Sequence, residues 1–559
     1  MTGQTRSEVG IPSILGGLFL LNLLFLSPRW IVAGGIGAPG VAFEAFLLVG
    51  LLLLLPRRGW SRVGVAVLSI GIGILFLLAL GDAAARMILA RPLNLYLDVR
   101  LLGPVFDLMI GNIGFGRTLL GFGVATAGWI TLTVLVGKLL ARLPTSQPFG
   151  WHPRAVAGFG LCMLAGLGWV GDRIPDSIGQ SLGGVSVRMA RPVEDLLVEQ
   201  ARYLSRMLRE RERFAEEMAA SLPLDSSHPG FLQGLSGTDV VLAFLESYGM
   251  SALDDPRYAP WVVPRLEEME IRLEAAGLHL ATGALVAPIQ GGQSWLGRGS
   301  VLSGLWLENQ FRYELLLASD RETLVDDFRR AGYRTVALMP AITLAWPEGE
   351  RLGYDRIYAH KDIDYRGPPL NWVTMPDQFT WSYFENSVRP ESGNRPLFAE
   401  VALISSHAPW TPILPVLEDW ENIGAGEVFL PWEGAGERPE DLWRDVDRVR
   451  EHYALSVDYA LHAAMAYSER YVQDQMLLIV LGDHQPAPLV TGENARRDVP
   501  VHIITRNPDL LTPFLEWGFQ LGAFPDPARE SPRMDAFRGW FLRAFSLGDL
   551  PPDLPRTQD

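Results

Sequence analysis

The run Met476-Leu-Leu-Ile-Val-Leu481 passes directly into Gly482-Asp483-His484. Apolar residues without a polar interruption suit a strand covered on both faces, not one exposed at alternate positions. In an open α/β sheet the carboxyl end of such a strand is where ligands bind, so Asp483 and His484 are candidate ligand groups. Two further stretches are built alike at their ends: Val240 to Leu245 ends in Glu246-Ser247, and Ala399-Glu-Val-Ala-Leu-Ile404 ends in Ser405-Ser406-His407. Carboxylate and imidazole groups delivered at one sheet edge suit a single divalent cation such as Mn²⁺, Zn²⁺ or Mg²⁺.

The apolar residues are unevenly spread. Spans near 11–27, 40–55, 63–80, 118–137 and 154–171 approach the ~17–25 residues that cross a bilayer, which predicts a multi-pass bundle of about five helices. Arg57, Arg58 and Arg62 fill one short loop, and Lys138, Arg142 and Arg154 surround another. With both loops inside, the C-terminal part lies outside. The 82–117 loop carries Arg86, Arg91, Arg100 and Arg117, partly offset by Asp82, Asp98 and Asp107. Within it, Leu93 to Leu102 suits a helix lying in the interface or one packed on the bundle.

The first 154 residues hold 12 Lys+Arg against 5 Asp+Glu, whereas the whole chain carries a net charge of −15. A basic, apolar first third therefore joins an acidic remainder, and an acidic surface excludes nucleic acid as the partner. The lone cysteine, Cys162, rules out an intrachain disulfide or a thiolate cluster. Pro192 to Leu222 is patterned as an amphipathic helix rich in Arg and Glu, and Asp225 to Gly230 breaks it. The expected domains are a transmembrane bundle 1–175, an amphipathic helix and linker 176–230, a catalytic domain 231–548 and a Pro-rich tail 549–559.

Beyond Gly237, strand-like and helix-like segments alternate. Helices are expected around 264–276, 322–331 and 441–472, and strands around 279–288, 335–338 and 499–505. Such alternation predicts an α/β domain with a mainly parallel sheet. Gly291-Gly292-Gln293-Ser294 places a hydroxyl on a tight turn before a helix start, where unpaired N–H groups favour an anion. Ser294 is then a candidate nucleophile, provided a base or metal lowers its pKa.

The order Leu-Glu246-Ser-Tyr-Gly, Gly-Gly-x-Ser294 with Leu-Ser-Gly304 after it, Ser-His407-x-Pro-Trp and Gly-Asp483-His484 resembles the sulfatase-like branch of the alkaline phosphatase superfamily. Within that branch the chain is most similar to membrane-anchored lipoteichoic acid synthases and phosphoglycerol transferases, over roughly Gly237 to Phe545. The resemblance implies a bacterial plasma-membrane protein with a periplasmic or otherwise extracytoplasmic catalytic domain. It implies one metal, manganese first, held by Glu246, Ser294, Asp483 and His484, with Ser294 in the nucleophile's place and His407 on the phosphate or acceptor. The implied reaction moves a phospholipid headgroup through a covalent seryl intermediate to a glycan or lipid acceptor.

The chain also departs from that family. Its segment with a His-Gly-Asn-like turn and a Phe-Trp-Asn-Arg-like run corresponds here to Met339–Arg351, with Trp346 and Arg351 as candidate substrate contacts and no histidine. Ser294-Trp-Leu-Gly-Arg298 keeps the spacing of the sulfatase modification motif, but Leu296 replaces its proline. An unmodified serine and phosphoryl chemistry are therefore expected, with Arg298 as a candidate anion contact. A hydrolase of the same fold and a catalytically silent envelope-binding protein are the alternatives. His502 is a candidate support behind the site, and Asp377 is expected to order a helix start.

Overall fold

The computed structural model describes residues 11–33, 40–55, 62–88, 92–99, 102–143, 153–171, 189–220, 230–492 and 495–546. Arg57, Arg58, Arg91, Arg100, most of the 225–230 breaker and the 549–559 tail lie outside the described residues. The chain divides into two compact units, Met1–Glu210 and Arg211–Asp559.

In the first unit each expected span is a helix: Ile11–Val32, Phe43–Leu54, Arg62–Ile88, Phe115–Leu140 and Pro153–Gly171. Three of them are long and apolar enough to cross a membrane, within Ile11–Val32, Val63–Met87 and Phe115–Leu140. Phe43–Leu54 has 12 residues, roughly 18 Å at ~1.5 Å per residue, short of a ~30 Å hydrocarbon core. It packs against Pro153–Gly171 through two glycines. A Cβ on Gly50 would stand 2.9 Å from the Gly158 carbonyl oxygen and 2.6 Å from Cys162 Sγ, so the two backbones approach as only small residues permit. Glu44 accepts from the N–H groups of Val193 (2.9 Å) and Glu194 (2.8 Å), satisfying orphan donors of the helix Pro192–Ala219. The described part of the 93–102 segment is bonded to the helix Pro192–Ala219. Gln200 Nε2 donates to the Leu93 carbonyl (2.6 Å) and its Oε1 accepts from Leu95 N (3.1 Å).

The second unit is built on an eight-stranded sheet. In chain order its strands are β1 (Asp239–Leu245), β2 (His279–Val286), β3 (Arg334–Met339), β4 (Arg356–Ala359), β5 (Leu397–Leu403), β6 (Met476–Gly482), β7 (Asp498–Thr505) and β8 (Gln520–Leu521). Their spatial order is β8-β2-β7-β6-β1-β5-β3-β4. The run from β6 to β4 is parallel, while β7 pairs antiparallel with both β6 and β2, and β8 antiparallel with β2. The expected mainly parallel sheet is thus a run of five parallel strands with an antiparallel flank. β6 and β7 are joined through only the short helix Pro488–Thr491, which does not provide the long covering helix of a βαβ crossover.

β5 and β6 are buried throughout, and β1 is buried after its first residue. Strand alternation sends Val241, Ala243 and Leu245 into one core and Val240, Leu242 and Phe244 into another. The first core is closed by helices Ala259–Ala275 and Val446–Tyr471, the second by Leu324–Arg330 and Ala536–Phe545. The expected helix 441–472 is interrupted. Asp445 accepts from Asp447 N (3.0 Å) and Arg448 N (3.3 Å) and starts a new helix at Val446.

On the second core's helices Arg538 meets Asp327 in a forked pair, Nε to Oδ2 2.8 Å and Nη2 to Oδ1 3.1 Å. Both side chains are almost wholly buried. Removing one partner leaves the other charge buried and uncompensated. Arg538→Ala is expected to cost roughly 3–5 kcal/mol, read as a lower urea midpoint for this unit; an unchanged midpoint would show that the pair contributes nothing.

Candidate active site at the carboxyl edge of the sheet

The site follows from strand register. Leu245 on β1 stands opposite Leu403 on β5 and Gly482 on β6, so the chain leaves all three strands at one level. Glu246 N donates to the Leu403 carbonyl (3.0 Å) and Asp483 N to the Leu245 carbonyl (3.3 Å). Gly482 is required here, because a Cβ would collide with the Tyr248 carbonyl.

Ser294 arrives from outside the sheet. It is the first residue of the helix Ser294–Ser303, and Gln293 before it is left-handed at φ 59°. Gly291 N donates to the Gln485 carbonyl (2.8 Å), and a Cβ on Gly291 would stand 2.7 Å from Ala487 Cα. The glycine turn is therefore pressed against the segment that follows His484. Ser247, just past Glu246, is also left-handed at φ 55°. Two non-glycine residues held in this uncommon region beside one cluster mark a place where geometry outweighs backbone preference.

Ser294 Oγ donates to Glu246 Oε2 (2.9 Å) and lies 3.3 Å from His484 Nε2. His484 Nε2 is 3.4 Å from Glu246 Oε1 and 3.9 Å from Asp483 Oδ1. The other ring nitrogen, Nδ1, donates to the Gln485 carbonyl (2.8 Å), which leaves Nε2 facing the carboxylates. Asp483 Oδ1 accepts from Ser247 N (2.8 Å) and His484 N (2.7 Å), and Ser247 Oγ donates to Glu246 Oε1 (2.8 Å).

Glu246, Asp483 and His484 are all buried, and one ligand atom from each lies within 4.8 Å of the others. Burial pushes the Asp483 carboxyl up, and the Glu246 charge pushes it further. Burial also opposes ionisation of Glu246, but the imidazoles of His484 and His407 outweigh it and hold that carboxyl below the ordinary range. Two buried carboxylates that compete for ionisation, with His484 Nε2 turned toward them and able to give up its proton to a metal, fit a divalent cation. These residues could hold one.

The other candidates are placed differently. His407 is exposed at the rim, its Nδ1 2.6 Å from the Ala408 carbonyl and its ring edge-on to Trp372 at 6.4 Å. Arg298 lies one turn beyond Ser294. Its Nη1 is 3.0 Å from Met339 Sδ and 3.7 Å from Glu400 Oε1, and its buried Nε has no partner among the described residues. Trp346 is half-buried and folds back over Gly349. Arg351 is exposed, with Nη1 3.4 Å from the Leu317 carbonyl. Ser294, Glu246, Asp483 and His484 are thus brought into one cluster, while Trp346 and Arg351 make their contacts elsewhere.

Sequence reasoning gave Glu400 no role and gave Asp377 only a helix start. Glu400 is the one acid inside the apolar strand β5, and it accepts from the Tyr354 hydroxyl. That isolated acid was the available signal. Asp377 does begin a helix, but its carboxylate bonds elsewhere, to Ile404 N and Ser405 N. His502 sits behind the site, 3.0 Å from Tyr248 Oη and 2.9 Å from Thr282 Oγ1. Burial pushes it down to about 3, so it serves as a neutral linker.

No protein-family model matches the chain, and no curated protein does. Among solved structures it is similar to the lipoteichoic acid synthase LtaP from Listeria monocytogenes, at 13% identity over 53% of this chain and 71% of that chain, with a TM-score of 0.36. It is also similar to the Streptococcus pyogenes phosphoglycerol transferase GacH in complex with sn-glycerol-1-phosphate, at 13% identity over 54% and 74%, with a TM-score of 0.35. A third is the C-terminal periplasmic domain of EptC from Escherichia coli in complex with Zn, at 13% identity over 49% and 74%, with a TM-score of 0.31. At such values the likeness concerns the fold alone and assigns no chemistry.

The cluster makes a direct prediction about metal. Glu246→Gln and His484→Ala are each expected to lower affinity for Mn²⁺ or Zn²⁺ by at least about tenfold, measured by equilibrium dialysis on the full chain. Arg351→Ala should leave it unchanged. Equal affinities in all three variants would place the metal elsewhere.

Proposed function

We propose that the chain is a metal-dependent transferase that moves a phosphoglycerol or related phospholipid headgroup unit to an extracytoplasmic glycan or lipid acceptor. The observation that carries this reading is the placement of Ser294. Its hydroxyl stands at the start of a helix, hydrogen-bonded to a carboxylate held ionised and within 3.3 Å of His484 Nε2.

Each group then has a role. Glu246 takes the Ser294 hydrogen bond and turns an oxygen lone pair toward the incoming phosphorus. The first N–H groups of the Ser294–Ser303 helix, with Arg298 one turn on, favour the phosphate's negative charge. A divalent cation, Mn²⁺ in our reading, held by Glu246, Asp483, His484 and Ser294 Oγ, would lower the serine's pKa and offset charge on the phosphoryl oxygens. Ser294 Oγ forms the new P–O bond as the bond to the diacylglycerol oxygen breaks, and that oxygen leaves with a proton as the free alcohol. An acceptor hydroxyl then forms a P–O bond to the same phosphorus, its proton returning to Ser294 as the seryl bond breaks. His407, exposed at the rim, is positioned to meet the phosphate or the acceptor; Trp346 and Arg351 are secondary candidates for substrate contact.

In this reading residues 1–175 form the multi-pass bundle, with the two shorter helices as fourth and fifth spans inside it. Residues 176–230 link the bundle to the catalytic domain 231–548, which works on the periplasmic or outer side of a bacterial plasma membrane, and 549–559 is a tail.

The test uses the full chain in phosphatidylglycerol vesicles with Mn²⁺ and intact mass spectrometry. Wild type is expected to gain one glycerol-phosphate mass, and Ser294→Ala none, with turnover abolished. Undiminished turnover in the alanine variant would remove Ser294 as nucleophile. Glycerol phosphate released at the same rate with and without a hydroxylated acceptor would favour the hydrolase.

A further inference from the structure

Asp377 is wholly buried in the second unit and is absent from the mechanism above. Its Oδ1 accepts from Ile404 N (2.7 Å) and Ser405 N (2.9 Å), while its own N–H donates to Ser405 Oγ (2.9 Å). These bonds tie the start of the Asp377–Tyr383 helix to the chain where it leaves β5. The next residue, Ser406, donates from Oγ to the Glu246 carbonyl (2.6 Å), and its own carbonyl accepts from Trp410 Nε1 (2.7 Å). His407 follows at once. A continuous hydrogen-bonded path therefore runs from Asp377 through residues 404–406 to the backbone of Glu246, with His407 carried on it.

We propose that Asp377 is a positioning residue, fixing the 404–407 turn so that Ser406 holds Glu246 and His407 stays at the rim of the Ser294 cluster. The part that concerns reaction rests on the transfer reading above; the part that concerns the turn does not. A buried carboxylate retained for charge alone would be expected to face a cation. Asp377 faces backbone N–H groups, and its Oδ2 has no hydrogen-bond partner among the described residues. Burial also pushes the carboxyl up to about 7, so a neutral side chain with one good acceptor suits the place. One acceptor oxygen is the feature in use. Asparagine retains it; alanine does not.

The experiment compares wild type, Asp377→Asn and Asp377→Ala as full chains by amide hydrogen exchange over residues 400–410, and by the rate of Ser294 adduct formation with phosphatidylglycerol. In Asp377→Ala the exchange of the 404–405 amides is expected to rise at least about tenfold, the hydrogen bonds that close them being lost. Adduct formation should slow at least about tenfold at saturating donor, with the half-saturating donor concentration within about threefold of wild type. Asp377→Asn should recover both to within about threefold. Unchanged exchange in Asp377→Ala overturns the proposal. So does faster exchange with an unchanged adduct rate, or an asparagine variant as impaired as alanine. If Asp377→Ala does not accumulate folded, Ser406→Ala cuts the second link alone and must slow the adduct at least about fivefold, or the proposal falls. Should wild type form no adduct, the transfer reading fails, and the exchange comparison still decides whether Asp377 holds the turn.

Discussion

Everything at the candidate site depends on how β1 sits between β5 and β6. The three strands are parallel and end at the same level, because Leu245 is paired with both Leu403 and Gly482. The first residues beyond that level include a glutamate and an aspartate, and His484 comes one residue later. Slipping one strand by one residue would turn its side chains to the opposite face. Burial of these strands on both faces and the flanking glycine at 482 oppose such a slip.

Two buried acids side by side are costly, and the surroundings answer that cost in different ways. Asp483 Oδ1 is given two backbone N–H donors, and Glu246 is given the hydroxyls of Ser247 and Ser294. The His484 ring is oriented by the Gln485 carbonyl. This is a preorganised donor set, held by groups that are themselves held: His502 bonds Tyr248, Ser406 bonds the Glu246 carbonyl, and the glycine turn before Ser294 rests on residues 485–487. The left-handed backbone at Ser247 and Gln293 is consistent with such external restraint.

Another buried acid, Glu400, shows how the same strand geometry serves a different end. It sits mid-strand on β5, bonded by Tyr354, with Arg298 3.7 Å away. Arg298 is thereby anchored from below while its helix presents Ser294 one turn earlier. Ser294 and Arg298 share one rigid element, and the spacing between them is set by helix geometry alone.

Much of this was legible in the chain. Apolar runs at 240–245 and 476–481, and the run at 399–404 broken only by Glu400, identified buried strands, since covering both faces calls for apolar residues, and the polar residue ending each run marked the site edge. The glycine pair before Ser294 marked a turn that larger residues resist, and five apolar spans became five helices. Tertiary structure alone decided the rest. The direction of β7 depends on which edge its short connection can reach. The actual contacts of Arg351 and Trp346, and the use of Asp377 to hold a turn 27 residues away, are pairings between distant segments. Local pattern records how a residue is buried; it does not record which distant backbone group will come to meet it.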